Sequence, residues 1–284
     1  MYGQQSLNDL TFLMLYGGVA LLAVVAGLYL LFRKANAIAP NIIPPKALRR
    51  WTAAFFLMAA LSHVWWYVLG VYWLTDDRLV RNIIVIMLDN VILVPLVMAV
   101  LLTLLQDRRR PLWPWLLLQG PVVVSAVIGI ARHDWFCGYE MAHYWLLAVI
   151  TFFVIYYIYA LRQYGCWLRE NFADLEHKEV WQTYLVMLAF LPSIFFYSFF
   201  NVDRVFDFLL EVVNIPLFFI LLWRVETLQD LEESVEEPFE DGAAESASTT
   251  QFAKIELMLQ QNCIDTQYYL QHPQAYQAAH ALLQ

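Results

Sequence analysis

Charged residues are scarce in this chain. Only 15% of its 284 residues are Asp, Glu, Lys or Arg, whereas 61% are hydrophobic and 16% are aromatic. Soluble domains carry about 25% charged residues. The mean hydropathy of +0.54 therefore excludes a water-soluble enzyme and a disordered chain, and it indicates a protein that crosses a membrane several times.

Cysteine is rare, and the motifs of common enzymes are absent. The three cysteines, Cys137, Cys166 and Cys263, are widely spaced without a CxxC pair, which excludes a disulfide framework and a zinc site. The sequence has no GxSxG, HExxH, P-loop or dinucleotide-binding motif. Haem needs two histidines at facing depths, and only His63 lies clearly within an apolar stretch. We therefore predict a protein that is not an enzyme and that has no catalytic residue, cofactor or metal ion.

Long apolar stretches dominate the first three quarters of the chain. A helix needs about 20 mostly apolar residues to cross a bilayer, because lipid cannot satisfy the hydrogen bonds of the backbone. Seven stretches qualify, and they predict an all-α, polytopic bundle of seven transmembrane helices at residues 10–32, 51–74, 83–105, 113–131, 143–161, 184–200 and 205–223. The first stretch is too long for a signal peptide and follows no basic residue, so we expect the mature chain to keep it.

The basic residues predict the orientation of these spans. Twelve Lys and Arg residues lie in the loops on one side and four on the other. By the positive-inside rule the N-terminus is outside and the C-terminus is cytoplasmic, as in a multi-pass membrane protein. Residues 107–110 are interpreted as a cytoplasmic anchor, with binding of anionic lipid as the alternative. The loop 162–183 either extends the fifth span or forms an amphipathic coupling helix.

The chain changes character after residue 225. Residues 226–250 contain nine acidic and no basic residues, which predicts a mostly disordered acidic linker; we expect its first turns to extend the seventh span as far as about Glu233. Residues 251–284 carry apolar positions at spacings of three and four, which predicts a short helical tail. This tail is too short to bury a core of its own. The predicted organisation is a membrane module (1–225), a linker (226–250) and a tail (251–284).

Polar side chains within the spans form the candidate site. An ionisable residue in a span costs at least about 2.5 kcal/mol, so it suggests a function by default. Span three carries Asp89 and Asn90, and span seven carries Asp207, Glu211 and Asn214. Spacings of four and three place the last three on one helical stripe, which Asp203 precedes.

The depth of these residues predicts a pocket. At 1.5 Å per residue, Asp89 and Glu211 each lie about 9 Å below the outer surface, and His63 of span two lies nearer the midplane. We predict an outward-opening pocket between spans two, three and seven that binds a small ligand with a cationic or hydrogen-bonding group. Its predicted ligand-binding residues are His63, Asp89, Asn90, Asp207, Glu211 and Asn214.

Two other uses of the same residues stay open. They can join helices by hydrogen bonds without binding any ligand. They can also carry protons or small ions, although the internal repeats and paired broken helices that are typical of transporters are not found in the sequence.

Two segments carry a family resemblance. Residues 168–181 read LRENFADLEHKEVW, and residues 255–272 read IELMLQQNCIDTQYYLQH. Both resemble bacterial membrane-anchored transcription regulators of the AraC/XylS type. In that family a multi-helix membrane module, an acidic linker and a C-terminal DNA-binding domain follow one another, which is the order predicted here. The second segment is similar to the opening helix of the DNA-binding domain.

The resemblance ends after His272. In the family two helix-turn-helix units follow, whereas this sequence continues for 12 residues, and beyond Arg224 only Lys254 is basic. DNA reading needs a basic recognition helix, so we predict no DNA-contact residue.

The resemblance implies a sensor or regulator of the bacterial inner (cytoplasmic) membrane whose output domain is truncated or degenerate. Its predicted partners are the lipid bilayer and a small ligand from the outer side, without nucleic acid in this form, and a homodimer is left open. A membrane protein without a ligand and a small-ion or proton transporter are the alternatives.

Overall fold

The described part of the chain is helical. The computed structural model describes residues 7–33, 36–39, 43–71, 76–171, 180–198 and 204–231. Among these residues there is no β-strand, which confirms the predicted all-α class. A short π-helix, Phe136–Glu140, precedes α6. The α-helices are α1 (Leu7–Phe32), α2 (Lys46–Val71), α3 (Arg78–Thr103), α4 (Trp113–Leu117), α5 (Gly120–Arg132), α6 (Met141–Asn171), α7 (Val180–Ser198) and α8 (Arg204–Thr227).

Five helical segments of the described residues are long and apolar enough to cross a membrane. They match predicted spans one, three, four, five and seven: Leu10–Phe32, Arg78–Thr103, Trp113–Arg132, Phe136–Arg169 and Val205–Thr227. The other two predicted spans coincide with α2 and α7. Helix α2 carries polar Ser62 and His63, and the described side chains of α7 form a shorter apolar helix, Trp181–Ile194. The chain thus has the helices of a multi-pass membrane protein, and the number of seven spans stays a prediction.

Two predicted spans differ in detail from the structure. The fourth is interrupted between α4 and α5, because Pro121 has no N–H to donate and restricts the conformation of the residue before it. The fifth continues as α6 to Asn171, so the first ten residues of the loop 162–183 extend that span. Residues 172–179 lie outside the described residues, and so do Asp203, the rest of the predicted linker after residue 231 and the tail.

Helix α5 and the π-helix approach each other through two glycines. A Cβ on Gly129 would lie 2.1 Å from the Cα of Gly138 and 2.4 Å from its N. The chain reverses between them at His133, which has a φ of 53°, and the Asp134 N–H donates to the Gly129 carbonyl at 2.9 Å. Hydrogen bonds from the Cys137 thiol and the Phe136 amide hold the pKa of the Asp134 carboxyl below its usual range. This turn leaves no space for a side chain on Gly129.

We expect Gly129→Ala to lower the free energy of unfolding by about 1 to 3 kcal/mol, because the backbones of α5 and the π-helix must separate. The measurement is chemical or thermal unfolding of the full chain in detergent. Gly17→Ala in α1 is the matched control, since its added Cβ meets nothing within 4 Å. Equal stability of the two variants would contradict the close approach.

Two arginines from predicted loops are buried in the structure. Arg224 is fully buried and links α8 to α7, donating from Nη1 to Gln182 Oε1 and from Nη2 to Thr183 Oγ1 at 3.1 Å. Arg110 donates to both carboxylate oxygens of Asp107, at 2.6 and 2.9 Å, and its side chain is 3% exposed. Neither arginine is therefore the solvated loop cation that the orientation count assumes.

The last turn of α8 is joined to the α1–α2 loop. The Glu226 carboxylate accepts hydrogen bonds from the Tyr29 hydroxyl and from the backbone N–H groups of Ala37 and Ile38, at 3.0 and 2.9 Å. The Asn36 amide donates to the Glu226 carbonyl at 3.1 Å. Glu226 is only 3% exposed, although the sequence places it at the start of a linker.

Residues after α8 are also attached to the helices. The Gln106 side chain donates to the Gln229 carbonyl at 3.0 Å and accepts from the Leu231 N–H at 2.9 Å. The Asp230 N–H donates to the Ile43 carbonyl at 2.8 Å. The compact unit accordingly runs to Leu231. We call the contacts of Glu226 and of residues 229–231 the α8 clamp. Its residues are Tyr29, Asn36, Ala37, Ile38, Ile43, Gln106, Glu226 and 229–231.

Candidate ligand-binding cavity

A cavity of about 1040 Å³ lies among α1, α2, α3, α6, α7 and α8. Small-molecule sites typically occupy about 300 to 1,000 Å³, so this space can hold a ligand of that size. The structure brings five of the six predicted site residues to its wall: His63, Asp89, Asp207, Glu211 and Asn214. The sixth, Asn90, is buried next to Asp89 on α3 and is not part of the wall.

Asp89 is held by three hydrogen-bond donors of α2. Its Oδ1 accepts from Ser62 Oγ at 2.7 Å and from Trp65 Nε1 at 2.9 Å, and its Oδ2 accepts from Trp66 Nε1. The side chain is deeply buried, since Asp89 is 2% exposed. Because a hydroxyl and two indoles are neutral, they orient the carboxylate and fix α2 to α3 without cancelling a negative charge.

Glu211 pairs with His63 across the same cavity. The distance from Glu211 Oε2 to His63 Nε2 is 3.2 Å, and His63 Nδ1 lies 2.7 Å from the Ala59 carbonyl oxygen. A carbonyl oxygen can only accept, so Nδ1 carries a proton and Nε2 shares one further proton with the carboxyl group. Tyr16 of α1 donates to the His63 carbonyl at 3.0 Å and packs its ring 4.5 Å from the imidazole.

Aromatic rings line the other end of the cavity. The ring of Phe55 lies 5.7 Å from that of Phe190 and 6.2 Å from that of Phe218. Phe55 precedes His63 by two turns of α2, and Phe218 follows Glu211 by two turns of α8, so the rings lie about 10 Å from the ion pair. The cavity therefore has a polar end and an apolar end.

Four residues of the polar end are not among the predicted site residues: Tyr16, Ser62, Trp65 and Trp66. The sequence does mark three of them, because Trp65 and Trp66 lie three and four residues after Ser62, the neighbour of His63, and such residues share a helix face. No such signal marks Tyr16, which belongs to an apolar helix and reaches the site only through the packing of α1 on α2.

Metal-binding groups and similarity to known proteins were the remaining possible signs of function. Within the residues that the structure describes, no group of three or more His, Cys, Asp and Glu is arranged to hold a metal ion. Comparisons with protein-family models, with curated proteins and with solved structures found no match.

Proposed function

We propose that this chain is a membrane-embedded sensor module that binds a small ligand in the cavity described above, next to the polar residues of α2, α3 and α8. The observation that carries the proposal is the convergence of Asp89, Glu211, Asp207 and Asn214 on one large cavity. Such residues are costly within a membrane. Hydrogen bonds between helices would explain polar residues at helix contacts, but they would not require an open space next to them.

The output of the sensor is proposed to pass along α8. This helix carries Glu211 in the cavity and Glu226 in the α8 clamp, fifteen residues and about 22 Å apart. A ligand shifts a conformational equilibrium only if it binds one state more tightly than the other. A ligand that separates Glu211 from His63 would act in this way, since the displacement of α8 changes the geometry of the α8 clamp.

The proposal includes the topology expected from the sequence. It has seven spans in the bacterial inner membrane, with the N-terminus outside and the α8 clamp on the cytoplasmic side, which the distribution of Lys and Arg supports. The resemblance to AraC/XylS-type regulators supports a regulatory output. Most of the two segments that carry this resemblance lies outside the described residues. The proposal assigns no DNA contact to the chain.

The test is a thermal-stability screen of the full chain in lipid nanodiscs with cationic, neutral and anionic small molecules. A bound ligand raises the unfolding temperature by mass action. We expect at least one chemical class to stabilise the protein, and we expect the double variant Asp89→Asn, Glu211→Gln to lose that stabilisation. The matched control is Asp76→Asn, Glu140→Gln, which removes two carboxylates outside the cavity. Stabilisation that persists in the first variant, or that no probe produces, would contradict the proposal.

Proton transport is a second candidate, and the His63–Glu211 pair favours it because the pair shares a proton in the middle of the helices. The aromatic rings of Phe55, Phe190 and Phe218 argue against a continuous path beyond the cavity. The two functions differ in proteoliposomes: a transporter produces proton flux without any added ligand, whereas a sensor produces none.

A further inference from the structure

We propose that the ligand of this cavity is an uncharged lipophile that carries a carbonyl group. This inference rests on the proposed function and names the chemical class of its ligand. Four features of the cavity carry it: the apolar wall, the apolar route to the surface of the bundle, the engaged carboxylates of the polar end and an unused hydroxyl group.

Most of the described wall is apolar. Its side chains include Leu93 and Val97 of α3, Ile150 of α6, Met187 of α7 and Leu217 of α8. A hydrocarbon body fills such a space with dispersion contacts. A charged group against the same side chains would lose its hydration without gaining a partner. The wall therefore favours a ligand whose body is hydrocarbon.

Apolar side chains also connect the cavity with the surface of the bundle. Leu13 of α1 and both Val205 and Phe208 of α8 line the cavity and are exposed. In a helix bundle that spans a membrane, exposed apolar side chains at this depth face the hydrocarbon of the lipid. A lipid-soluble molecule can reach the cavity by this route, whereas an ion would have to enter the hydrocarbon at a high free-energy cost.

The carboxylates of the polar end are already engaged. Both oxygens of Asp89 accept hydrogen bonds from side chains of α2, and Glu211 is paired with His63. Asp207, the third acidic residue of the wall, also has a partner. A cation would have to compete with these interactions, and the described residues that line the wall include no Lys or Arg to bind an anion. The interactions of Asp89 and Glu211 join α2 to α3 and to α8, so the double variant of the thermal screen also changes the shape of the cavity.

Ser193 of α7 supplies the group that would recognise a carbonyl. It lines the cavity, it is 9% exposed, and its Oγ has no hydrogen-bond partner among the described residues. Buried hydroxyls normally have a partner, and a hydroxyl proton needs an acceptor. The carbonyl oxygen of a ligand accepts this proton. Unlike an amine or an alcohol, a carbonyl brings no donor of its own that would need a further acceptor.

The experiment compares three probes that share one hydrocarbon cage. They are 2-adamantanone, 2-methyleneadamantane, in which a methylene group replaces the oxygen, and 2-adamantylamine, which is protonated at neutral pH. Saturable binding of each is measured by equilibrium dialysis of the full chain in nanodiscs of zwitterionic lipid, with empty nanodiscs as the blank. We expect the ketone to bind roughly fivefold more tightly than the alkene, because it gains one hydrogen bond. We expect it to bind at least about tenfold more tightly than the amine.

Three serine variants test whether this preference comes from Ser193. Ser193→Ala should bind ketone and alkene equally, whereas Ser193→Thr keeps the hydroxyl and should keep the preference. The matched control is Ser125→Ala, which removes a hydroxyl of α5 outside the cavity wall and should also keep it. Because the alkene needs no hydroxyl, its unchanged binding in Ser193→Ala shows that this variant is folded.

The outcomes separate this inference from the proposed function. Binding of the amine as tightly as the ketone would overturn the uncharged ligand and leave a ligand-binding cavity. A preference for the ketone that is missing, or that persists in Ser193→Ala, would overturn the carbonyl. Failure of all three probes to bind saturably would overturn the inference as a whole, and the thermal-stability screen with its wider set of probes then decides separately whether the cavity binds any ligand.

Discussion

Replacing Arg224 by alanine is expected to lower the free energy of unfolding by about 3 to 5 kcal/mol. The guanidinium is fully buried between α7 and α8, where it donates to Gln182 and Thr183. Alanine removes these hydrogen bonds, leaves the buried Thr183 hydroxyl and the half-buried Gln182 carbonyl without this donor, and opens a cavity of several carbon atoms. The measurement is reversible unfolding in detergent, followed by helicity.

Two further variants test the cause of this effect. Arg224→Lys keeps the charge but cannot present two N–H groups in a planar fork, so we expect an intermediate loss. Arg162→Ala removes an exposed arginine from α6 and should leave stability unchanged within about 0.5 kcal/mol. A loss as small for Arg224→Ala as for Arg162→Ala would mean that Arg224 is solvated in the folded protein.

Replacing Glu226 by alanine is expected to cost about 2 to 4 kcal/mol and to release the residues that follow α8. The carboxylate accepts from the Tyr29 hydroxyl and from the N–H groups of Ala37 and Ile38. Ala37 and Ile38 are exposed residues, so water can partly replace the lost acceptor, which keeps the cost below the sum of three buried bonds. Unfolding gives the energy, and limited proteolysis near residue 232 reports the release.

A variant with the same chemistry outside the α8 clamp serves as the control. Glu140→Ala removes a half-buried glutamate from the π-helix, and we expect a loss below about 1 kcal/mol with no change in proteolysis. Glu226→Gln keeps one acceptor oxygen but turns an amide N–H toward a backbone donor. Its free energy of unfolding should therefore lie between that of Glu226→Ala and that of the unchanged protein. Indistinguishable proteolysis of Glu226→Ala and the unchanged protein would contradict the role assigned to Glu226.

Two physical arguments predicted much of the polar end of the cavity: the periodicity of a helix, and the free-energy cost of an ionisable side chain within a membrane span. The spacing of Asp207, Glu211 and Asn214 on one face requires only helical geometry, and the equal depth of Asp89 and Glu211 requires only the rise per residue. The structure places all four on the wall of one cavity. Asn90 cannot be separated from Asp89 by such arguments, since adjacent residues differ by 100° around the helix and the neighbouring packing decides which one faces the space.

The rest depends on contacts between residues that are distant in sequence. Glu226 reads as part of an acidic linker, because eight further acidic residues follow it before residue 250. Its burial depends on two backbone N–H groups nearly 190 residues earlier, which no local pattern reveals. Arg224 is likewise predicted to be a cytoplasmic loop cation, because it follows the last apolar stretch. Its contacts with Gln182 and Thr183 of α7 join residues about 40 positions apart, which no local pattern reveals.

The measurement that tests the central claim most directly is hydrogen exchange of the full chain in nanodiscs, with and without a saturating concentration of a small molecule that stabilises the protein in the thermal screen. The claim is that a ligand in the cavity changes the α8 clamp through α8. We predict that exchange of the clamp amides Ala37, Ile38, Asp230 and Leu231 changes by roughly threefold or more, and that the double variant Asp89→Asn, Glu211→Gln abolishes the change. Saturation of the cavity without any change at these four amides would contradict the claim.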